Sequence, residues 1–454
     1  MEKKNGIRDG FKELGTARML VLALQHVFAM FGATVLVPLL TGLPVSVTLF
    51  CAGIGTIWFY FVTKRKIPIF LGSSFAFLAA FGAVAPMIGD QPNTEMLPYA
   101  TGGVVCAGLV YVLFALLIKI FGTKKIMKLF PPVVTGPIIV LIGLILAPSA
   151  IDNARTNWIL AIIAIVIIVI TNIYGKGMIK IVPILLGIAG SYVVGVIVGL
   201  IKPDLFGLSW VNLSTMAGQK AVAVPPFFLP KFDITSIITF VVVALAAMIE
   251  HIGDICAIGA TTGENYIEDP GLVRTLIGDG VATSIAGCIG GPANTTYSEN
   301  TGVVALTKVY DPKVMLLAAV ITVVLSFINI FDAFINTIPA AIIGGISIVL
   351  YGMISATGLR TIVENKVNFM DMRNIVVAAL ILVCGLGFQT YPVMIGSIEL
   401  KGLAMAAIVG VLVNALLPRN DYEFEENEAA EKAGAFRVQA PKISAGIKTD
   451  DIKD

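Results

Sequence analysis

The sequence predicts an all-α polytopic membrane protein, with fourteen transmembrane segments arranged as two inverted repeats of seven. Three observations carry this reading: the composition, the spacing of apolar runs with the charges between them, and a positional echo between the two halves. The 454 residues are 57% hydrophobic and 13% charged, with a mean hydropathy of +0.92. Soluble domains carry about 25% charged residues. A chain this apolar is built for lipid.

Apolar stretches near the roughly 20 residues that cross a bilayer occupy 18–40, 45–63, 98–121, 132–149, 157–174, 181–201, 234–258, 313–335, 338–357, 372–390 and 401–418. Three further regions are interrupted: 67–89 by "GSSFAF", 272–291 by Arg274 and Asp279, and 292–309 by "NTTYSENTG". Counted as spans, they bring the total to fourteen. Alternate loops then hold fifteen lysines and arginines on one side and five on the other (Arg155, Lys202, Lys220, Lys231, Lys401). Cytoplasmic loops attract the positive excess, so both termini are expected in the cytoplasm. The charged start, MEKKNGIRDGFKELGTAR, and the full-length run behind it do not read as a cleavable signal.

The echo involves the only two histidines, His26 and His251. From His26 to Ser74, and again from His251 to Glu299, the distance is 48 positions, so two polar helices each precede a polar break at the same offset. Seven segments per half is an odd number, which inserts the second half in the opposite sense. Paired broken segments of this kind point to a transporter's binding site. Non-helical backbone at membrane depth must be buried in protein or line a cavity. The two breaks are therefore expected to form short extended pieces leading into half-helices that face a shared space.

Acidic residues mark the same place. Glu250 and Asp254 are four apart on one helix, Asp279 lies in the next segment and Glu299 in the second break. A carboxylate at bilayer depth costs about 2.5 to 3.5 kcal/mol on insertion scales, so four of them imply proton-titrating work in a water-accessible site. A structural ion pair is the bland alternative, with His26 or His251 as the only basic side chains in a position to provide it. Asp279 could simply tie helices together, and His26 could be a packing group. The five cysteines have no paired or metal-ligand spacing. Neither a metal cluster nor a Gly-x-Ser-x-Gly elbow is present, so an enzyme is not expected. Acceptor carboxylates together with backbone N–H donors suit a flat ligand that offers both N–H and carbonyl groups; a nucleobase fits, as would several other polar heterocycles.

The motif "ENTGVVALTK" (299–308) resembles the signature of the nucleobase/ascorbate transporter family, also called nucleobase-cation symporters. "LQHVFAMFGATVLVP", "KIPIFLGSSFAF", "GGPANTTYSENTGV" and "LYGMISATG" are similar in order and spacing to its bacterial uracil/xanthine permease branch, from about residue 18 to 418. The resemblance implies short antiparallel strands breaking segments 3 and 10. It implies a core domain (18–121 and 234–335) and a gate domain (122–202 and 336–418), with an N-terminus at 1–17, an extracellular loop at 203–233 and a cytoplasmic tail at 419–454. Carried over by motif, Glu250 and Glu299 would accept hydrogen bonds from a base. The backbone N–H groups of Phe75 and Ser298 would meet its carbonyls, beside Ser74, Tyr297 and Tyr351. Proton coupling would involve Glu250, Asp254, Asp279, Glu299 and His26.

Two positions depart from the uracil pattern: Asp254 replaces a second histidine in Glu250-His251-Ile252-Gly253-Asp254, and Asp279 stands where an amide is usual. Both are similar to the xanthine and urate branch, which usually begins its signature with Gln rather than a residue like Glu299. The expected function is proton-coupled import of uracil, with xanthine as the alternative substrate. A sodium-coupled or anion transporter of the same architecture is a more distant one. No cofactor beyond the proton and no nucleic-acid partner is implied. The expected setting is the bacterial plasma membrane, with a homodimer formed through the gate domain.

Overall fold

Inside hydrocarbon every backbone N–H and C=O must find its partner within the protein, and the apolar runs meet that demand as helices. The structure is a computed structural model that describes residues 6–88, 91–122, 131–180, 182–202, 210–211, 221–328, 334–335, 337–395 and 398–418. The tail expected at 419–454 and parts of the 203–233 loop lie outside those residues. Among the described residues eight helices are long and apolar enough to cross a membrane, and four shorter apolar helices accompany them. The chain is a multi-pass membrane protein.

In order, the first half contains α1 (Gly10–Leu14), α2 (Thr16–Thr41), α3 (Val45–Val62), β1 (Leu71–Ser73), a 3₁₀ turn (Phe75–Phe77) and α4 (Leu78–Val84). It continues with α5 (Leu97–Phe121), α6 (Pro132–Ala154), α7 (Trp158–Tyr174) and α8 (Pro183–Ile201). The second half contains α9 (Ile234–Thr262), α10 (Leu272–Cys288), β2 (Asn294–Thr296), α11 (Ser298–Thr307), α12 (Lys313–Ser326) and α13 (Ala340–Glu364). It ends with α14 (Met372–Thr390), β3 (Val393–Ile395), β4 (Ile398–Leu400) and α15 (Gly402–Leu416).

The elements sort by their neighbours. Helix α5 packs on α9 and α10, α3 on α10 and α12, and α2 on α12. Separately, α13 packs on α6 and α7, α7 on α8, and α14 on α15 and α6. Small residues allow these contacts to be close, as in many membrane helix pairs. A Cβ on Gly108 would lie 2.3 Å from the Gly280 carbonyl, so α5 and α10 touch backbone to backbone. Helices α6 and α13 meet in the same way at Gly136 and Gly358.

Some expected boundaries shift. The helix that opens the 313–335 run is described from Lys313 to Ser326, with 334 and 335 helical again, while the 338–357 run continues as helix to Glu364 and the 234–258 run to Thr262. Lengths beyond the apolar window come from polar but helix-tolerant residues such as Thr261, Thr262 and Arg360, which the hydropathy run does not count. The β3–β4 hairpin, with Val393 opposite Leu400, was not expected, because its six paired residues were merged into the gap between two helices. The N-terminal segment is also ordered: Ile7 pairs in parallel with Val309, Gly10 N–H donates to Asp311 at 2.9 Å, and Arg8 binds Glu264 at 2.6 Å.

Candidate functional site

The two polar breaks meet. Strands β1 and β2 pair antiparallel, with Leu71 opposite Thr296 and Ser73 opposite Asn294. The ladder extends at both ends, where Tyr297 N–H donates to Phe70 O at 3.0 Å and Ser74 N–H donates to Ala293 O at 2.8 Å. A two-stranded ladder leaves two outer edges, and buried edges need partners. Threonines from the neighbouring helices supply them, because a hydroxyl can both donate and accept. Thr56 on α3 accepts from Leu71 N–H at 2.9 Å and lies 3.2 Å from Leu71 O. Thr283 on α10 accepts from Asn294 N–H at 3.2 Å and donates to Asn294 O at 3.1 Å. Sequence reasoning missed both. The available signal was a threonine in an apolar helix just ahead of each break.

Each strand runs directly into a helix. After β1 the chain turns helical at Phe75, and after β2 at Ser298. The first turns present N–H groups that have no acceptor within their own helix, together with the positive end of the helix dipole. Phe75 is half-buried, Ser298 is exposed and Glu299 is half-buried in the first turn of α11. Ser74 is buried.

Helix α9 runs alongside. Glu250 and Gly253 are exposed, while His251, Ile252 and Asp254 are buried, so one face of α9 is open, called the cleft, and the rest packs inward. Space remains in front of Gly253 on α9, Gly302 on α11 and Gly352 on α13, where an added Cβ would meet nothing within 4 Å. Glu250 lies within electrostatic reach of Asp254, Glu299 and Asp279.

The other acids face inward. Asp254 accepts from Thr296 Oγ1 at 2.7 Å and from Ser298 Oγ at 2.6 Å, which ties α9 to the end of β2 and the start of α11. Asp279 is fully buried, with Oδ2 at 3.1 Å from His251 Nδ1. His26 is fully buried, and the Asn300 side-chain amide donates to both His26 Nδ1 and His26 O at 3.1 Å. An accepting Nδ1 places the imidazole proton on Nε2.

The aromatic positions are less central to the cleft. Tyr297 is buried, and its hydroxyl donates to Ser73 O at 2.9 Å and lies 3.2 Å from Thr34 Oγ1. Its ring covers Gly72, where a Cβ would sit 2.3 Å from the ring. Tyr351 is buried in α13, with its backbone carbonyl against Gly143 of α6. The structure thus brings Ser74, Phe75, Ser298 and Glu299 to the strand–helix junctions, leaves Glu250 midway along α9 within electrostatic reach of Glu299, turns Tyr297 behind the strands, and places Tyr351 in α13. Among the described residues no group of three His, Cys, Asp or Glu side chains is placed to hold a metal.

A family model described as a permease family, that of xanthine/uracil-type permeases, matches residues 17–394. The chain belongs to this family, the nucleobase/ascorbate transporters. The permease is 38% identical over 429 residues to the uracil permease of Bacillus caldolyticus, covering 90% of this chain and 95% of the relative. It is 39% identical over 416 residues to the uracil permease of Bacillus subtilis, covering 87% and 92%. With the putative pyrimidine permease RutG of Escherichia coli it shares 37% identity over 421 residues, covering 92% and 93%. These relatives are named permeases and not enzymes. In fold the permease is similar to the transmembrane domain of the cyanobacterial bicarbonate transporter BicA, at TM-score 0.58 and 16% identity, covering 90% of this chain and 99% of that one. It is also similar to the murine Solute Carrier 26 family member A9 anion transporter, at TM-score 0.60 and 11% identity, covering 88% and 68%.

Proposed function

We infer that this permease imports a nucleobase, uracil first and xanthine as the alternative, together with protons and by alternating access. The observation that carries the reading is the junction where two helix starts meet across one strand pair beside Glu250 and Glu299. N–H groups from Phe75 and Ser298 suit carbonyl oxygens of a base, and the two carboxylates suit its N–H groups. An acid-lined cleft is a poor host for anions, so the likeness to anion transporters extends to the fold alone. The named relatives support uracil. Asp254 and Asp279, two departures from the uracil pattern, keep xanthine in view.

The fourteen-segment inverted repeat is part of the proposal, and the packing supports it. If segment n of the first half matches segment n+7, the α5–α10 contact is the counterpart of the α3–α12 contact. Thr56 and Thr283 are likewise counterparts, each closing one strand edge. The set α2 to α5 with α9 to α12 is assigned as core domain and the remaining helices as gate, with both termini cytoplasmic and the gate offering a dimer surface.

In this scheme Glu250 and Glu299 exchange the coupling proton, since both reach the cleft. Asp254 positions Ser298 by holding its hydroxyl, and His26 anchors α11 through Asn300. Uptake of labelled uracil, xanthine, urate and guanine into proteoliposomes tests the proposal, with either a pH or a sodium gradient imposed. Uracil accumulation driven by an inward proton gradient is expected. Glu250→Gln and Glu299→Gln should each weaken uracil binding about 10- to 100-fold, the worth of a hydrogen bond to a charged group. Unchanged binding in both variants would show that the site lies elsewhere.

A further inference from the structure

We propose that His251 and Asp279 hold one proton between them throughout the transport cycle, forming a neutral buried unit that positions α9 instead of passing protons to the cleft. The inference rests on the symport reading only in taking Glu250, the neighbour of His251, as a cleft residue.

The geometry is that of a buried pair, with Glu250 and Asp254 the acids within electrostatic reach of it. His251 Nδ1 and Asp279 Oδ2 are 3.1 Å apart, and both side chains are 0% exposed. Among the described residues, neither ring nitrogen of His251 and neither carboxyl oxygen of Asp279 has an aligned hydrogen-bond partner, so the contact between them is one of charge and proximity; the buried Tyr111 hydroxyl on α5, the helix that packs against both α9 and α10, is also without a partner. From α3, the Phe59 ring stands edge-on to the imidazole at 6.1 Å. On α3, α5, α9 and α10 the other buried titratable side chains are Cys51, Tyr60, Tyr111, Asp254 and Cys256, and none of them is basic. The cations of these helices, Lys119 and Arg274, are exposed. His251 is thus the one buried group on these four helices able to neutralise Asp279.

Charge bookkeeping follows. A neutral imidazole beside an ionised carboxylate leaves one uncompensated negative charge in a fully buried place. One added proton, on either partner, brings the sum to zero. Removing a charge from water costs several kcal/mol even after relaxation, so the loaded form is strongly favoured. Both partners are fully buried, whereas the exposed positions of this stretch are Glu250 and Gly253. The chain combines a histidine at 251 with an acid at 279, and each makes the other tolerable. Their joint effect is to hold α9 against α10 at the level where Glu250 meets the cleft.

The test uses the full-length protein in lipid nanodiscs and proteoliposomes, as parent, His251→Gln, Asp279→Asn and the double variant. Thermal midpoints are read from about pH 5 to about pH 9. His251→Gln strands a carboxyl that must keep its own proton, so its midpoint should fall steadily across the whole range, whereas the double variant should stay flat, the parent should begin to fall only above the ordinary histidine value of about 6.5, and Asp279→Asn should rise up to that value and level off. If His251→Gln yields folded protein only at the acid end, that is the same result. In Asp279→Asn, nucleobase exchange and gradient-driven accumulation should decline by the same factor. A flat pH profile for His251→Gln would overturn the proposal. So would an Asp279→Asn variant that keeps exchange but loses accumulation, because Asp279 would then release the coupling proton. A parent that binds no nucleobase would sink the transport reading and leave the thermal comparison intact.

Discussion

Asp254 illustrates how a single side chain can organise a site without touching the cleft. Its two oxygens accept from Thr296 and Ser298, and Ser298 is also the residue whose backbone N–H opens α11. Hydrogen bonds to a charged group contribute about 1.5 to 3 kcal/mol each. Asp254→Ala should therefore lower the thermal midpoint and weaken base binding together, whereas Asp254→Asn, which can still accept one bond, should recover part of both. Equal binding by the parent and the alanine variant in a fluorescence titration would remove Asp254 from the positioning role. The acids themselves were legible in the sequence, because a carboxylate in an apolar run stands out. Their partners were not. Whether Asp279 faces His251 or the cleft depends on the rotation of α10 against α9, and hydropathy carries no information on that angle. Tyr297 shows the same limit: its place beside the signature motif was visible, but the turn of its ring onto Gly72 follows from the strand pleat.

At the scale of elements, helix contact depends on missing side chains. A Cβ on Gly280 would sit 2.5 Å from Tyr111 Cβ and 2.7 Å from the Gly108 carbonyl, both rigidly placed. Overpacking of a well-packed core costs about 1 to 3 kcal/mol, so Gly280→Ala should lower stability by that order in a denaturation series. The neighbouring Gly253→Ala, which opens on free space, should leave stability unchanged. Most helices could be read from the apolar runs, since length and hydropathy together define a span. The pairing of β1 with β2 was legible as two polar breaks expected to be extended and, through the family resemblance, antiparallel, but three-residue pieces carry too little periodicity to fix their bounds or register. The β3–β4 hairpin was hidden for that reason, and it stands at a junction: Lys401, just beyond β4, donates to Ala83 O near the end of α4.

For the whole molecule, the N-terminal segment acts as a strap across the ends of α9, α11 and α12, through Arg8 to Glu264, Ile7 to Val309 and Gly10 to Asp311. Two acids, the half-buried Asp9 and the exposed Asp269, contribute their own ion pairs. The Lys12 ammonium beside Asp9, aided by Lys313, holds its carboxyl below the usual carboxylate range, and Lys66 does the same for Asp269. For a depressed acid the stabilisation is present above the ordinary carboxylate value of about 4 and is lost as pH falls through the lowered one. Stability should accordingly drop on acidification below about pH 4 and be weakened by salt, and Asp269→Asn should reduce the acid sensitivity. Removing residues 1–9 should lower the thermal midpoint while leaving the cleft residues in place, as judged by base binding.

The strand pair has a consequence for biogenesis. Ser73 and Tyr297 touch across 224 positions of sequence, so the first break has no backbone partner until the tenth segment has left the ribosome. During that interval Thr56 can close one edge of β1, while the edge that will face β2 has no strand to pair with. For the proposed site, binding capacity should therefore arise late in synthesis, when the second half inserts. Co-expressed halves split in the loop ahead of α9 should regain nucleobase binding together, and neither half should show any when expressed alone.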